Sequence, residues 1–165
     1  MATGERMKPR YEIDLTSPVP VPDAENAFVR SVTRDDLDSL AILILMLDAY
    51  VGTIDYEGED LEGAVDEVRS YLDHRPLLQH SFVAELGGEI ASAVLVSLLD
   101  NTPFIGYVMT LRAHKGEGLA QLMTTSSMSS LAEDGHRNIV LYITEGNKPS
   151  EALFRSVGAV PTPGR

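Results

Sequence analysis

The spacing of hydrophobic residues changes several times along the chain, and each change predicts a different element. Short apolar runs rich in β-branched residues predict strands, and such runs occupy residues 27–32, 81–86, 90–99, 104–111 and 138–143. Gly87 and Gly88 separate two of these runs, which is typical of a β-hairpin. A further short strand at a sheet edge is predicted for residues 11–15, before the segment PVPVP.

Apolar residues at intervals of three and four predict four helices, at about residues 34–50, 60–73, 118–132 and 149–157. At the start of the first helix, Thr33 and Asp36 resemble a capping box, in which each side chain accepts from the other's backbone amide. Residues 40–47 of the same helix are apolar on nearly every side. We therefore expect this helix to be buried against a sheet or against another chain.

The order of these elements predicts a mixed α/β fold, with a central mixed sheet flanked by about four helices. The strand, helix and strand between Phe104 and Ile143 require a right-handed crossover, which places the two strands parallel. Residues 1–26 hold four of the nine prolines and lack sustained periodicity, so we expect them to form an arm. Residues 27–165 are the expected single domain.

Composition narrows the function classes. The chain has no cysteine, which excludes disulfides, thiolate metal ligands and a cysteine nucleophile. Its formal net charge of −12 would repel the phosphates of nucleic acids and attract a cationic substrate. The most apolar run, residues 40–47, is too short to cross a membrane, and the first residues lack the apolar stretch of a secretory signal. A cytoplasmic location is therefore expected.

The histidines and serines match none of the common catalytic or metal motifs. His74, His80, His114 and His136 do not stand at the spacing of HxxxH or HExxH, so no metal is predicted. The nucleophile motifs GxSxG and SxxK do not occur in the sequence. The serines and threonines of residues 124–130 fall inside a predicted helix, where we expect packing rather than chemistry.

The stretch KGEGLAQLM, residues 115–123, lies directly between a predicted strand and a predicted helix. Gly116 and Gly118 allow the backbone to turn tightly and approach a ligand, and the first amides of a helix have no partner within it. With the helix dipole and the charge of Lys115, these amides favour a phosphate or pyrophosphate. An ordinary capped turn is the alternative. Gln121 stands where dinucleotide-binding loops need a third glycine, and no Walker motif GKS or GKT occurs.

This stretch resembles the coenzyme A fingerprint Q/R-x-x-G-x-G/A of the GNAT superfamily of N-acyltransferases, with Lys115 in place of the usual Gln or Arg. A second family signature, NxxAxxLYxxxGF, is followed in order by Asn147, Ser150, Leu153, Phe154, Gly158 and Ala159, of which three match outright. The strand predicted at 138–143, between the two signatures, also resembles the family pattern. The resemblance covers roughly residues 27–159.

The resemblance implies a mostly antiparallel sheet whose fourth and fifth strands, residues 104–111 and 138–143, are parallel and splay apart. The pantetheine arm of acetyl-coenzyme A would lie in that gap, bonded to the backbone of Val108 and Thr110. The Val108 amide would also polarise the thioester carbonyl. The residues implied to contact the coenzyme are Val108, Met109, Thr110, Lys115, Gly116, Glu117, Gly118, Leu119, Ala120, Gln121, Asn147 and Phe154.

In this family the amine attacks the thioester directly, helped by a general base and a general acid. Phe154 replaces the usual tyrosine that protonates the thiolate, and Phe104 aligns near the glutamate base of histone-modifying relatives. Other titratable candidates are Asp55, Tyr56, Glu57, Glu59, His80, Tyr107, His114 and Tyr142. We expect acceptor recognition by the acidic loop 55–60 and a catalytic set of Val108, Tyr56, Glu57 and Tyr107.

The leading hypothesis is acetyl transfer from acetyl-CoA to a primary amine of a small molecule or peptide, without a metal. The alternatives are a module that binds acyl-CoA without turnover, consistent with Phe154, and a nucleotide-binding regulator that uses the same glycine turn. Family members usually continue beyond the position of Arg165 into two strands that wall the acceptor site. We therefore expect that wall to be missing or supplied by a second chain, which makes a homodimer a hypothesis.

Overall fold

A single mixed sheet of seven strands organises the part of the chain that the computed structural model describes, residues 6–24 and 26–162. The strands are β1 (Arg10–Asp14), β2 (Phe28–Ser31), β3 (Phe82–Leu86), β4 (Glu89–Leu99), β5 (Thr102–Thr110), β6 (Asn138–Tyr142) and β7 (Val160–Pro161). Their order in the sheet is β2-β3-β4-β5-β6-β1-β7. Neighbouring strands are antiparallel except β5 and β6, which are parallel. The mixed, mostly antiparallel sheet expected from the sequence is confirmed.

Helices cover both faces of this sheet. The described α-helices are α1 (Arg34–Leu37), α2 (Leu40–Tyr50), α3 (Leu61–Asp73), α4 (Leu119–Glu133) and α5 (Lys148–Ser156), and single 3₁₀ turns occupy Leu78–His80 and Arg112–His114. Three of the four predicted helices therefore form close to their predicted bounds. The ends of the predicted arm and domain, residues 1–5 and 163–165, lie outside the described residues.

The single helix predicted for residues 34–50 is wrong, because the structure breaks it between α1 and α2. α1 begins with the expected capping box, in which Thr33 and Asp36 exchange hydrogen bonds. The hydroxyl of Ser39 then donates to the Asp36 carbonyl at 2.6 Å. That carbonyl is the acceptor that a continuing helix would offer to the amide of Leu40. Ser39 itself is extended and begins α2.

The short strand predicted at residues 11–15 forms as β1, but it does not lie at the edge of the sheet. β1 pairs with β6 on one side and with the two-residue β7 on the other. Ile13 and Leu15 are buried in the core, so the apolar alternation selects the face but not the neighbouring strand. The sheet continues past β6 within the same chain, but neither β1 nor β7 lines the cleft described below, so the missing or shared wall of the acceptor site stays a prediction.

The sheet separates two hydrophobic cores, because alternate residues of a strand point to opposite faces. On β4, Ala93 and Leu95 join the core that also contains α2 and α3. Val94 and Val96 join the other core, with α4 and α5. The central strands are therefore buried on both faces, which holds the ends of β5 and β6 firmly in place.

The apolar helix α2 is buried on one side and exposed on the other. Ile42 and Leu45 are fully buried, whereas Leu40 and Ile44 are exposed. The burial expected for residues 40–47 is therefore confirmed for one face, and a homodimer across the other face stays a prediction. Among the described residues, no helix has the length and apolar character needed to span a bilayer.

Candidate active site

The parallel strands β5 and β6 separate almost as soon as they meet. Phe104 opposite Val140 is their one paired position among the described residues. Gly106 is the extra residue of a bulge opposite the step between Leu95 and Val96 of β4. A bulge bends its strand and locally increases its twist. Beyond this bulge β5 keeps its pairing with β4, while its other side faces an opening.

The opening is a cleft of about 1940 Å³. Pockets for a single drug-sized ligand have roughly 300–1,000 Å³, so this cleft has room for two substrates. Its walls are the ends of β5 and β6, the bend before α4, the start of α5, the end of α2 and the loop from α2 to α3. The glycine bend and the acidic loop, which are distant in sequence, therefore face the same space.

Two glycines shape the bend before α4. Gly116 and Gly118 have φ angles of +85° and +83°, in the left-handed region that glycine tolerates. A Cβ added at either glycine would meet no heavy atom within 4 Å beyond its immediate chain neighbours, so the concave side of the bend is open. The first bond of α4 runs from the Leu122 amide to the Gly118 carbonyl at 3.0 Å. The amides of residues 119–121 consequently have no partner within the helix, as in anion-binding helix starts.

Helix α2 supports this bend from its C-terminal end. Arg112 donates its backbone amide to the Asp48 carboxylate at 2.7 Å and its Nε at 3.0 Å. These bonds, the amide first, hold the pKa of Asp48 below its usual value. The ammonium of Lys115 donates to the Ala49 carbonyl at 2.7 Å, so it anchors the bend to α2 rather than pointing to the bend's own amides.

At most of the β5 positions expected to contact the coenzyme, the backbone rather than the side chain is available to a ligand in the gap. Met109 is buried in the core with α2 and α3. Thr110 is also buried, and its Oγ1 lies 2.9 Å from the hydroxyl of Ser92. Val108 is half-buried and lines the cleft. Contacts of a ligand with Met109 and Thr110 would therefore come from the backbone, as the family resemblance implies.

The start of α5 forms the opposite wall. Asn147 caps α5 with its Oδ1 and donates from Nδ2 to Asp55 at 3.1 Å, which joins α5 to the acidic loop. Phe154 is buried and lines the cleft. Phe104 also lines the cleft and contacts Tyr142 edge to face, with 5.9 Å between ring centroids. Phenyl rings therefore face the cleft at the two positions where the family resemblance places the general acid and the general base.

A carboxylate and two tyrosines line the cleft where β5, α2 and α3 meet. The hydroxyl of Tyr107 donates to the carboxylate of Glu67, which connects β5 to α3. Burial, and then this bond, raise the pKa of Tyr107, and burial likewise raises the pKa of Tyr50. Nearby carboxylates, with Asp55 the strongest, add to the effect on Tyr50. Both phenols therefore stay protonated near neutral pH, and the carboxylates favour a cation here.

The remaining predicted residues occupy more exposed positions. Glu57 lines the cleft but is exposed, and Tyr56 is exposed and lies outside the cleft walls. The carboxylate of Glu117 faces the ring of His114 at 3.3 Å, so this residue belongs to the bend through its backbone. Of the expected catalytic set, the cleft brings together Val108, Tyr107 and Glu57.

No sequence motif distinguishes Glu67 or Tyr50 from their neighbours. The sequence pattern assigns Glu67 to the acidic face of its helix. It nevertheless lies three residues after Ala64 and four before Tyr71, both buried, and this spacing places it beside the buried face. Tyr50 ends an apolar helix, and no local pattern distinguishes it from a core tyrosine.

The family of the chain follows from a comparison with sequence models of known families. The model described as the acetyltransferase (GNAT) family matches residues 45–159, well over half of the chain. The chain belongs to the GNAT acetyltransferase family. The match includes the second half of α2, the glycine bend and α5, so the family inferred from the two sequence signatures is confirmed. A search of curated proteins found no significant match.

Several solved structures share the fold of this GNAT chain at low sequence identity. A GCN5-related N-acetyltransferase from Sphaerobacter thermophilus has a TM-score of 0.74 and 19% identity, over 95% of this chain and 49% of its own. The ribosomal-protein-S18-alanine N-acetyltransferase from Escherichia coli gives 0.62 and 14%, over 80% and 76%. AAC(6')-Iy, in complex with the bisubstrate analogue CoA-S-monomethyl-acetylneamine, gives 0.61 and 15%, over 84% and 93%. This chain spans about half the length of the Sphaerobacter structure.

Proposed function

We propose that this protein transfers an acetyl group from acetyl-CoA to a primary amine of a small molecule or peptide, with both substrates bound in one cleft. One observation carries the proposal. The open glycine bend, the β5 main chain that faces the gap and the Glu67–Tyr107 pair all border the same space. Membership of the GNAT family supports acetyl-CoA as the acetyl donor.

The residues present suit the diphosphate and pantetheine parts of coenzyme A. Residues 119–121 supply amides at a helix start, where the helix dipole favours an anion. Gly116 and Gly118 would let the diphosphate approach the main chain with no side chain between them. The pantetheine arm would then lie along the main chain of Val108 and Thr110, in the gap between β5 and β6.

The carboxylate-lined part of the cleft suits a cationic acceptor. Glu67, Asp55 and Glu59 line it with carboxylates. The net charge of −12 would further raise the local concentration of a positively charged amine. Glu67 is fixed by its bond from Tyr107, and we assign it as the general base that accepts the proton of the attacking amine.

The proposed reaction balances without a further reagent. The acceptor binds as an ammonium ion and first loses one proton to solvent. Its nitrogen then forms a bond to the thioester carbonyl carbon while Glu67 takes a second proton, which it later releases to water. The Val108 amide would donate to the carbonyl oxygen as negative charge develops there. The C–S bond breaks, and the thiolate takes up a proton from water.

A strong general acid is not required at the leaving group. An ordinary thiol has a pKa of about 8.5, so its thiolate is a tolerable leaving group near neutral pH. Phe154 can therefore occupy the position of the usual tyrosine without preventing the reaction. The hydrocarbon ring would instead help to keep water away from the thioester.

Two of the similar structures suggest which acceptors to test. One is named for the alanine of a ribosomal protein, and the other was solved with an analogue that joins CoA to acetylneamine. We therefore propose two acceptor classes for this chain, the α-amine of a peptide and an amine of a polycationic small molecule. Release of free thiol from acetyl-CoA, measured with short peptides, polyamines and aminoglycosides, tests both classes.

A second candidate function is a module that binds acyl-CoA without turnover. The observation that favours it is the pair of phenylalanines, Phe104 and Phe154, at the usual base and acid positions. Both functions predict coenzyme binding, but the module predicts no thiol release with any amine. Titration calorimetry together with the thiol assay therefore separates the two functions.

The binding half of the proposal is tested by Gly118→Asp, which places a carboxylate beside the proposed diphosphate site. We expect the affinity for coenzyme A, measured by calorimetry, to fall by at least about 100-fold because like charges then face each other. Gly88→Asp is the matched control, since Gly88 has nearly the same φ of +82° and equally open surroundings, but lies in the hairpin between β3 and β4. Equal loss in both variants, or no coenzyme uptake by the wild type, would refute the assignment.

A further inference from the structure

Three side chains with metal-binding atoms meet at the C-terminal end of α4, outside the cleft. His80 ends the 3₁₀ turn before β3, Asp134 caps the end of α4, and His136 lies in the loop that leads to β6. One ligand atom from each of the three lies within 4.8 Å of the other two. The two histidines are far apart in sequence, so motif spacing does not reveal this cluster.

The separations of the ligand atoms suit a tetrahedral ion. Oδ2 of Asp134 lies 3.1 Å from Nε2 of His80 and 3.8 Å from Nε2 of His136. Zinc bonds of about 2.0–2.1 Å at tetrahedral angles place neighbouring ligand atoms about 3.3 Å apart. The two observed distances bracket this value, and the ligand atoms of His80 and His136 lie within 4.8 Å of each other, so side-chain rotations could bring all three atoms around one ion.

The buried histidine is oriented by a second layer of hydrogen bonds. His80 Nδ1 lies 2.7 Å from the hydroxyl of Ser130, which in turn can donate to the Gln79 carbonyl at 3.4 Å. In that arrangement Nδ1 carries a proton, and Nε2 turns its lone pair toward the carboxylate of Asp134. This form of the ring leaves Nε2 free to bind a cation, whereas the other tautomer would donate from Nε2 to Asp134, which lies 3.1 Å away. Metal-ligating histidines are typically held through their other ring nitrogen in this way.

The cluster is open to solvent on one side. The side chain of His80 is 5% exposed, whereas those of Asp134 and His136 are 60% and 31% exposed. An ion could therefore enter from solvent and keep a water molecule as its fourth ligand. Two imidazoles and one carboxylate form a donor set that suits Zn²⁺. The cluster lies at the far end of the 15-residue α4 from the glycine bend, about 22 Å away by helix rise.

We propose that His80, Asp134 and His136 form a binding site for a divalent transition-metal ion, with Zn²⁺ as the best match. The ion would join three segments that are separate in sequence, namely the turn before β3, the end of α4 and the approach to β6. Because these ligands converge in the folded chain, metal binding would stabilise the native state against unfolding. The inference is independent of acetyl transfer, since none of the three residues lines the cleft.

The test is a calorimetric titration of Zn²⁺ into the full chain after metal removal with a chelator. We expect one ion per chain, a rise in Tm on binding, and the visible spectrum of a tetrahedral complex when Co²⁺ replaces Zn²⁺. His136→Ala and Asp134→Asn should each weaken Zn²⁺ binding by at least about tenfold and remove most of the rise in Tm. Both positions are partly exposed, and circular dichroism would verify that these variants fold.

His74→Ala is the matched control, because His74 is an exposed histidine at the end of α3. This variant should bind Zn²⁺ as the wild type does. The proposal fails if the wild type takes up no Zn²⁺ at concentrations well above that of the protein. It also fails if His136→Ala and Asp134→Asn bind Zn²⁺ as tightly as the wild type, or if His74→Ala loses binding equally. The cluster would then be a hydrogen-bonded ion pair without a metal.

Discussion

The two halves of the cleft are built in different ways. The proposed coenzyme half is one continuous stretch, from the end of β5 through the glycine bend into α4, and its binding groups are main-chain amides. The proposed acceptor half is assembled from α2, α3 and β5, and its groups are the side chains Tyr50, Glu67 and Tyr107. A main-chain site depends on a few glycines and a helix start, whereas a side-chain site changes with each substitution. If both assignments hold, the fold would fix the donor and leave the acceptor open to variation.

Among the substitutions that test this difference between the two halves, Glu67→Gln should have the largest effect. Glutamine has the same size and can still accept the hydrogen bond from Tyr107, but it cannot take a proton. We expect kcat/KM for the amine to fall by about 10²-fold or more. The dissociation constant of coenzyme A should change by less than about twofold, because Glu67 is not among the groups proposed to hold the coenzyme. Thiol-release kinetics and calorimetry measure the two quantities.

Asp66→Asn is the matched control, since Asp66 is the exposed neighbour of Glu67 on the same helix. It should leave both quantities unchanged. An unchanged kcat/KM in Glu67→Gln would exclude Glu67 as the base. A parallel loss of coenzyme affinity would show that the two halves of the cleft are not independent.

The glycine bend of the proposed coenzyme half was predictable from sequence because its information is local. Gly116 and Gly118 stand directly between a strand pattern and a helix pattern, and the backbone geometry that they predict is the one observed. The parallel arrangement of β5 and β6 was also predictable, since a strand, helix and strand follow a fixed crossover rule.

The acceptor half was not predictable in the same way, because Glu67 and Tyr107 come from separate elements that meet through tertiary packing. The loop residues Tyr56 and Glu57 lie in an obvious acidic run and are exposed, and so is Glu67, so exposure does not distinguish these residues either. The same reason explains the interior position of β1, which depends on its partners β6 and β7. The convergence of His80 and His136 is equally invisible to motif spacing.

An intermediate effect on coenzyme binding is expected from Asp48→Asn, because Asp48 on α2 holds the bend that belongs to the proposed coenzyme half. The variant loses the charge that accepts hydrogen bonds from Arg112, so the bend is held less firmly. Hydrogen bonds to a charged group contribute roughly 1.5–3 kcal/mol, and part of that loss should appear as about three- to tenfold weaker coenzyme binding. Calorimetry measures the affinity, and kcat at saturating coenzyme should stay close to that of the wild type.

The pH dependence of stability provides a second measurement on this variant. Because the pKa of Asp48 lies below its ordinary value of 3.8 in the folded protein, its ionised form contributes stability that is complete well above that value. This contribution is lost as the pH falls through the lowered pKa. The difference in unfolding free energy between wild type and Asp48→Asn should therefore be constant from about pH 8 to pH 5 and shrink in stronger acid.

The smallest effect is expected from Phe154→Tyr, which restores the hydroxyl found at this position in the family signature. If the thiolate leaves without help, kcat for thiol release should change by less than about threefold. Because Phe154 is buried, the added hydroxyl needs a hydrogen-bond partner in the cleft, and stability should fall by about 1–3 kcal/mol if it finds none. Urea unfolding measures that cost separately from turnover.

Phe82→Tyr separates the cost of a new hydroxyl from its chemistry, because Phe82 is half-buried on β3 and lies outside the cleft walls. It should leave kcat unchanged. A rise in kcat of more than about tenfold in Phe154→Tyr alone would mean that protonation of the leaving group limits the wild-type reaction. The phenyl ring of Phe154 would then explain a protein that binds its coenzyme tightly and turns over slowly. The catalytic acid would in that case belong with the variable acceptor half rather than with the fixed donor half.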